Sequence, residues 1–389
     1  MAIDTQARLA ALQDDMALTL VPPVVNTQPG PEYTYAQLDY AMIAGLDRTP
    51  GGRLWVAWFG GGDSDKGFML IAKSDDDGRT WSEPQAVIHS PMTPGGYRHR
   101  HLVGTLWTDP AGRLWWFFDN SIHYFDGRAG SWATVCENPD ADRPMWSTPR
   151  RIWHGCTLNK PTVLSTGEWL LPISLWQRDH GIGEFIGTDL GRELDPHRMA
   201  HWFVSSDGGS TWSRRGGVNI PCHDFDEHMV VERADGRLVM FARTLYGMAQ
   251  CESPDDGRSW SAPEPSPIPH VNARFFFRKL ADGAWLLVKH GNMTEKPAGR
   301  SHLTAWLSDD EGRSWCGGLL LDERAGVSYP DGFQAPDGRI FIAYDHNRAT
   351  DRELCLAVFH PDDIRAGRVV TPQARLRHRI SISTGPARP

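Results

Sequence analysis

The chain has 389 residues, 40% of them apolar, and its 48 acidic against 40 basic side chains leave a net charge of −8. That balance argues against a non-specific nucleic-acid binder, which needs a basic surface, and the apolar share argues against wholesale disorder. No run of apolar residues is long enough for a membrane span of ~18 residues.

In chain order, residues 1–35 form an N-terminal extension. Met1 to Pro23 has no basic start, no long apolar stretch and no small-residue cleavage site. No secretory leader is read there, so a cytoplasmic location is expected, with periplasm or secretion the alternative had a leader been removed. Residues 4–15 (DTQARLAALQDD) suit one short amphipathic helix.

From residue 36 onward one pattern recurs: an apolar run, a turn holding glycine, then a second apolar run. The copies are TPGGRLWVAWF, DPAGRLWWFFD, LSTGEWLLPIS, RADGRLVMFAR, LADGAWLLVKH and APDGRIFIAYD, with turn glycines Gly52, Gly112, Gly167, Gly236, Gly283 and Gly338. Each reads as a β-hairpin, and no helical pattern separates them. Between hairpins stands a second motif, Ser-x-Asp-x-Gly-x-Thr/Ser-Trp. It occurs at Ser74–Trp81, Ser205–Trp212, Ser253–Trp260 and Ser308–Trp315, with a degenerate copy ending at Trp146. Its Asp can bond nearby backbone N–H groups, its Gly takes a φ that other residues resist, and its Trp buries a large ring.

Repeat units of this length, each a hairpin plus a second strand pair, describe an all-β fold: a six-bladed β-propeller with four-stranded antiparallel blades over residues 36–375. The segment Trp176 to Arg198 is longer than a blade needs and reads as an insertion loop near a site. The tail from Ile364 is expected to close the ring or trail off, with residues 376–389 assigned as a C-terminal tail.

The inner strands should aim polar groups at the central channel. Nine positions before the turn glycine stand Glu227, Arg274 and Tyr329, with Asn159–Lys160, Arg100–His101 and Asp39–Ala41 in the other blades. Seven positions after it stand Phe59, Asp119, Ser174, Arg243, His290 and Asp345. Charged groups inside apolar strands need partners, and a ring of them at one channel end makes a polar pocket. The histidines His99, His101, His223, His228 and His290 lack metal-ligand spacing and read as hydrogen-bonding groups. Six scattered cysteines with no CxxC pair read as free thiols, with no zinc site.

The Asp-containing turns resemble the Asp boxes of the sialidase (neuraminidase) superfamily, over about residues 36–360. Glu227, Arg243, Arg300 and Tyr329 resemble that superfamily's general-base glutamate, two arginines of a carboxylate clamp, and tyrosine nucleophile, in type and order. The resemblance implies an exo-acting glycoside hydrolase that removes a terminal acidic sugar, with sialic acid or a related nonulosonic acid first. Arginine binds a carboxylate through a planar fork, and a neutral Tyr escapes the repulsion that a carboxylate nucleophile would meet. The acid would come from the loop GGGDSDKG, as Asp63 or Asp65. The first clamp arginine has no counterpart, since Ala41 stands where it is expected; Arg98, Arg100, Lys160 or Arg274 could replace it. Arg100, His101, Lys160 and Arg274 are therefore candidate substrate-binding residues. No cofactor or metal is implied, the partner is a glycan, and neither nucleic acid nor membrane is expected. Two alternatives remain at this level: a lyase or hydrolase for glycans containing uronic acid or rhamnose, and a non-catalytic carbohydrate-binding propeller.

Overall fold

All six turn glycines take φ between 84° and 94°. Side chains resist that region, so each hairpin closes where the sequence places glycine. The second strand of each hairpin is buried along its whole length, as in Leu54–Gly60, Leu114–Asp119 and Ile340–His346. Unbroken burial means that both faces of the strand are covered, which a blade wedged between two neighbours achieves and an open sheet does not. Trp55, Trp58, Trp115, Trp116, Trp132, Trp202 and Trp285, seven of the 17 tryptophans, fill these spaces.

The computed structural model describes residues 5–122, 128, 130–181, 185 and 187–386. It contains six four-stranded antiparallel sheets. The inner strands, in blade order, are Met42–Arg48, Gly104–Thr108, Thr162–Val163, His223–Glu232, Phe276–Lys279 and Val327–Gln334. Each blade is contiguous in sequence, so among the described residues no sheet combines strands from the two chain ends. The ring closes by contacts between the first and last blades instead. Leu46 N–H donates to Asp331 Oδ2 at 2.9 Å and Ile43 N–H to Asp345 Oδ2 at 3.2 Å. Beyond the last strand, Thr384 and Gly385 donate to the carbonyls of Tyr35 and Leu38. The outer strand of the sixth blade is Arg375–Ile382. Residues 376–382, expected in a tail, therefore complete the last sheet; their alternating charged residues belong to a half-exposed edge strand. A helix spans Thr5–Asp15, and its Leu9 and Leu12 pack with Tyr97 and Ile122. All six cysteines are free thiols. Among the described residues no helix is long and apolar enough to cross a membrane.

The four Asp boxes join third strands to outer strands, at the opposite end of the blades from the inner strands' first residues. In the box at Ser308, the serine hydroxyl bonds Asp310 at 2.8 Å, Gly312 N–H donates to Ser308 Oγ at 2.7 Å, and Ser314 donates to Asp310 from both backbone and side chain. Hydrogen bonds from Ser314 hold the Asp310 carboxyl down at about 2. The degenerate copy departs from this scheme. Trp146 packs edge-on against Trp55 and Trp116, while Asp140 accepts the Gly51 N–H of the neighbouring hairpin turn.

Inside the channel lies a buried charge network. Lys160 Nζ sits 3.2 Å from Asp47 Oδ2 and 3.2 Å from Asp331 Oδ2, and donates to the carbonyls of Leu46 and Leu106. Arg274 Nη2 bonds Asp331 Oδ1 at 3.2 Å, Asn159 Oδ1 at 2.7 Å and Leu158 O at 2.8 Å. Asn159 Nδ2 in turn donates to the Glu227 carbonyl at 2.8 Å. All six blades thus meet in one polar plug. Removing one member leaves the others charged and out of water, a loss of about 3–5 kcal/mol. Asp331→Ala is expected to lower unfolding free energy by about that amount in urea titration; a change under ~1 kcal/mol would show that the plug is not what holds the ring.

Candidate active site

Two bulges shape the channel mouth. Register shifts interrupt the inner strand of blade 4 between His223 and Met229, and that of blade 6 between Ser328 and Asp331. Within them Phe225, Asp226 and Glu227 take φ of 66°, 56° and 43°, and Tyr329 takes 54°. Left-handed backbone at such residues costs about 1–3 kcal/mol each and persists only where surroundings impose it. Bulges re-aim side chains, and here they bring together two residues far apart in sequence. Tyr329 Oη donates to Glu227 Oε1 at 2.7 Å.

Arg243, at the end of the second strand of blade 4, completes the group. Its Nη1 lies 3.1 Å from Glu227 Oε1 and 3.4 Å from Tyr329 Oη. Nη2 bonds Asp224 Oδ2 at 3.2 Å, and Nε bonds Asn272 Oδ1 at 2.6 Å. Burial works against the charge of Arg243, yet Glu227, Tyr329 and Asp224 hold its pKa above the ordinary value. The Tyr329 phenol is pushed up, first by burial and then by the Glu227 charge, while Arg243 and Arg348 pull the other way. Such a phenol keeps its proton until a base removes it, and the base in contact is Glu227.

Around the ring of Tyr329 stand further guanidinium groups. The Arg300 carbon Cζ is 5.9 Å from the ring centre, that of Arg348 4.9 Å and that of Arg274 5.7 Å. Asp63 reaches this cluster, with Oδ2 3.8 Å from Arg348 Nη1, and it is more than half exposed. Asp65 is held elsewhere, 3.8 Å from Arg98, in a cavity of about 360 Å³ lined also by Tyr33, His89 and Met92. Of the two loop acids, Asp63 is the one near Tyr329.

Three expected binding residues are placed differently. Arg274 and Lys160 are buried in the channel plug and saturated by protein partners. His101 is fully buried, its Nε2 2.9 Å from Ser90 Oγ, and burial lowers its pKa well below the usual value. Equal offset along a strand does not mean equal height in the channel, so these groups serve the interior. Arg100 sits at the mouth on a separate two-stranded ribbon, His99–Arg100 with Ser121–Ile122. Its Nε donates to Ser121 Oγ at 2.8 Å and its Nη2 is 3.8 Å from Asp119.

Sequence reasoning missed Arg348, Asp224 and Asn272. Arg348 lies three residues beyond Asp345, in a connection where strand periodicity no longer assigns a direction. The signal available was its position after the second strand of the last blade, near where Arg243 stands in blade 4. Among the described residues no group of three or more His, Cys, Asp or Glu side chains could hold a metal ion.

The fold and this arrangement define an Asp-box six-bladed propeller. Residues 52–342 match the BNR repeat-like domain family, and the chain belongs to it. No curated protein matches the chain in sequence. Solved structures do match in fold. The intramolecular trans-sialidase from Ruminococcus gnavus, in complex with oseltamivir carboxylate, is 14% identical with a TM-score of 0.59, covering 88% of this chain and 98% of that one. The NanB sialidase from Streptococcus pneumoniae is 15% identical with a TM-score of 0.61, covering 88% of this chain and 71% of that one. A Dyadobacter fermentans protein of unknown function is 15% identical with a TM-score of 0.59, covering 85% of this chain and 95% of that one. Identities this low carry the fold, and the reaction must be argued from side chains.

Asp226 offers a test of the site's electrostatics. It is buried, its Oδ2 has no hydrogen-bond partner among the described residues, and burial followed by the Glu227 charge pushes its pKa from 3.8 up to about 7. Between about pH 4 and 7 the folded chain holds a proton there that the unfolded chain has released, so this group's contribution to stability declines as pH rises across that window. Asp226→Asn should flatten that part of the profile, read from urea midpoints at pH values on either side of about 6; an unchanged slope would place the titrating group elsewhere.

Proposed function

We propose that this protein is an exo-acting glycoside hydrolase for a terminal acidic sugar, with sialic acid the first candidate. The observation that carries the reading is the hydrogen bond from Tyr329 to Glu227 at 2.7 Å beneath the Arg243 guanidinium. The Ruminococcus gnavus trans-sialidase that matches in fold is in complex with oseltamivir carboxylate, and a carboxylate ligand on this fold supports the reading.

In this mechanism Tyr329 Oη attacks the anomeric carbon as its proton passes to Glu227 Oε1. The bond to the leaving oxygen breaks, and that oxygen takes a proton from Asp63. Water then attacks the glycosyl–tyrosine bond, with Asp63 accepting its proton and Glu227 returning one to the phenolate. Two features of the chain support the sequence of events. Tyr329 is neutral and reluctant to ionise, so it meets no repulsion from the sugar carboxylate before attack. Arg243 lies within reach of both Tyr329 Oη and Glu227 Oε1, where negative charge shifts from one to the other. The guanidinium groups near the Tyr329 ring supply the forks that a carboxylate needs.

A fluorogenic sialoside should be turned over by the wild-type chain. Glu227→Gln is expected to lower kcat by about 10²–10⁴, the usual worth of a positioned base. Tyr329→Phe should lower it at least as far. Turnover of neutral glycosides alone, or an unsaturated product absorbing in the ultraviolet, would reject the reading in favour of another hydrolase or a lyase.

A further inference from the structure

The arginines at the mouth are not equivalent. Arg243 is held through each of its three nitrogens, by Asn272, Glu227 and Asp224 at 2.6, 3.1 and 3.2 Å. A guanidinium offers five N–H donors in a fixed plane, and all three nitrogens of Arg243 already bond within the protein, with Nη1 also 3.4 Å from Tyr329 Oη. Arg300 and Arg348 are different. Among the described residues the Arg300 side chain donates to one acceptor, the Asn272 carbonyl, at a long 3.4 Å. Arg348 donates to Ser328 Oγ at 3.3 Å and touches the Met42 thioether, but its nearest carboxylates, Asp63 and Asp345, stand at 3.8 and 4.0 Å. Both guanidinium groups flank the Tyr329 ring, at 5.9 and 4.9 Å.

Arg348 also lies against Ala41 along the main chain. Its main-chain carbonyl accepts the Ala41 N–H at 3.0 Å. The connection after the last blade's second strand is therefore laid against the start of the first blade, where an arginine is expected and alanine stands. The side chain that this connection carries points its charge to the same cluster, between Tyr40, Asp63, Asp345 and Tyr329.

We propose that Arg300 and Arg348 are the pair that binds the substrate carboxylate in this chain. Arg348, from the sixth blade, stands in for the arginine missing from the first, and Arg243 serves to hold Glu227. The assignment rests on the acidic-sugar reading above. It carries a consequence for selectivity: a neutral sugar would leave two partly buried guanidinium groups with only the long contacts to Asn272 and Ser328, so the site discriminates by what it would leave under-paired. It also ties recognition to chemistry, because an arriving carboxylate competes with Asp63 for Arg348 and so draws that cation away from the acid.

The test compares two unreactive probes, the unsaturated (glycal) analogue of sialic acid and its methyl ester, by calorimetry on the full chain. The wild type should bind the acid far more tightly than the ester. Arg348→Ala should weaken acid binding by at least about 30-fold while leaving ester binding unchanged, the loss expected when a desolvated charge pair is cut. Arg348→Lys keeps the charge but not the fork and should fall between the two. If Arg348→Ala retains the wild-type preference for the acid, the role given to Arg348 is wrong while the acidic-sugar reading stands. Weakening of both probes alike, with an unchanged melting curve, would make Arg348 a shaper of the pocket and overturn the proposal. If the wild type itself does not prefer the acid, both readings fail.

Discussion

The architecture depends on burying Lys160, Arg274, Asp47 and Asp331 inside the channel with every charge met. Burial alone raises the Asp47 pKa even beside Lys160, a measure of how strongly the interior resists charge. Such a cluster is tolerable only when its geometry is satisfied throughout. Because its members come from different blades, satisfying it fixes how the blades sit around the axis. It also reaches the mouth: Asn159 holds the Glu227 carbonyl, and Asp331 is two residues from Tyr329. The same plug that closes the channel therefore positions the two residues whose contact defines the site.

Above that plug, strand-borne and connection-borne groups divide the tasks. Glu227, Tyr329 and Arg243 belong to strands, and the left-handed stretch from Phe225 to Glu227 is enforced by the sheet on either side of it. Asp63, Arg300 and Arg348 lie in connections between strands. The groups that must meet one another before any ligand arrives are held by the scaffold. Those to which the proposed function gives contact with a ligand are carried in the connections.

The repeating parts of the molecule are legible in the sequence because they obey local rules. Glycine at each hairpin turn and the Ser-Asp-Gly-Trp spacing of the boxes are set by backbone and hydrogen-bond geometry within a few residues. Glu227, Tyr329 and Arg243 could be read for the same reason, since a fixed offset from the turn glycine brings each to the channel. That rule assigns a direction and not a depth. It therefore gathered Arg274 and Lys160, which lie in the plug, with residues at the mouth. His101 satisfies the same rule and faces Ser90. Arg348 escaped because its placement is settled by Ala41 and Ser328, long-range neighbours that no local pattern announces. The edge strand at 375–382 escaped because its outward residues are basic and only its end is buried.

Each blade is drawn from one stretch of chain, so among the described residues no sheet is shared between the two ends of the ring. The junction between the first and sixth blades is a seam of hydrogen bonds and packed side chains, and the pocket is built across it: Ala41, Tyr40 and Asp63 on one bank, Tyr329, Asp345 and Arg348 on the other. Any parting of that seam separates the loop acid from the tyrosine while leaving every individual sheet intact. The pocket is thus a gauge of whether the circle is shut: under the proposed function, its activity would report on that junction and not on any single blade.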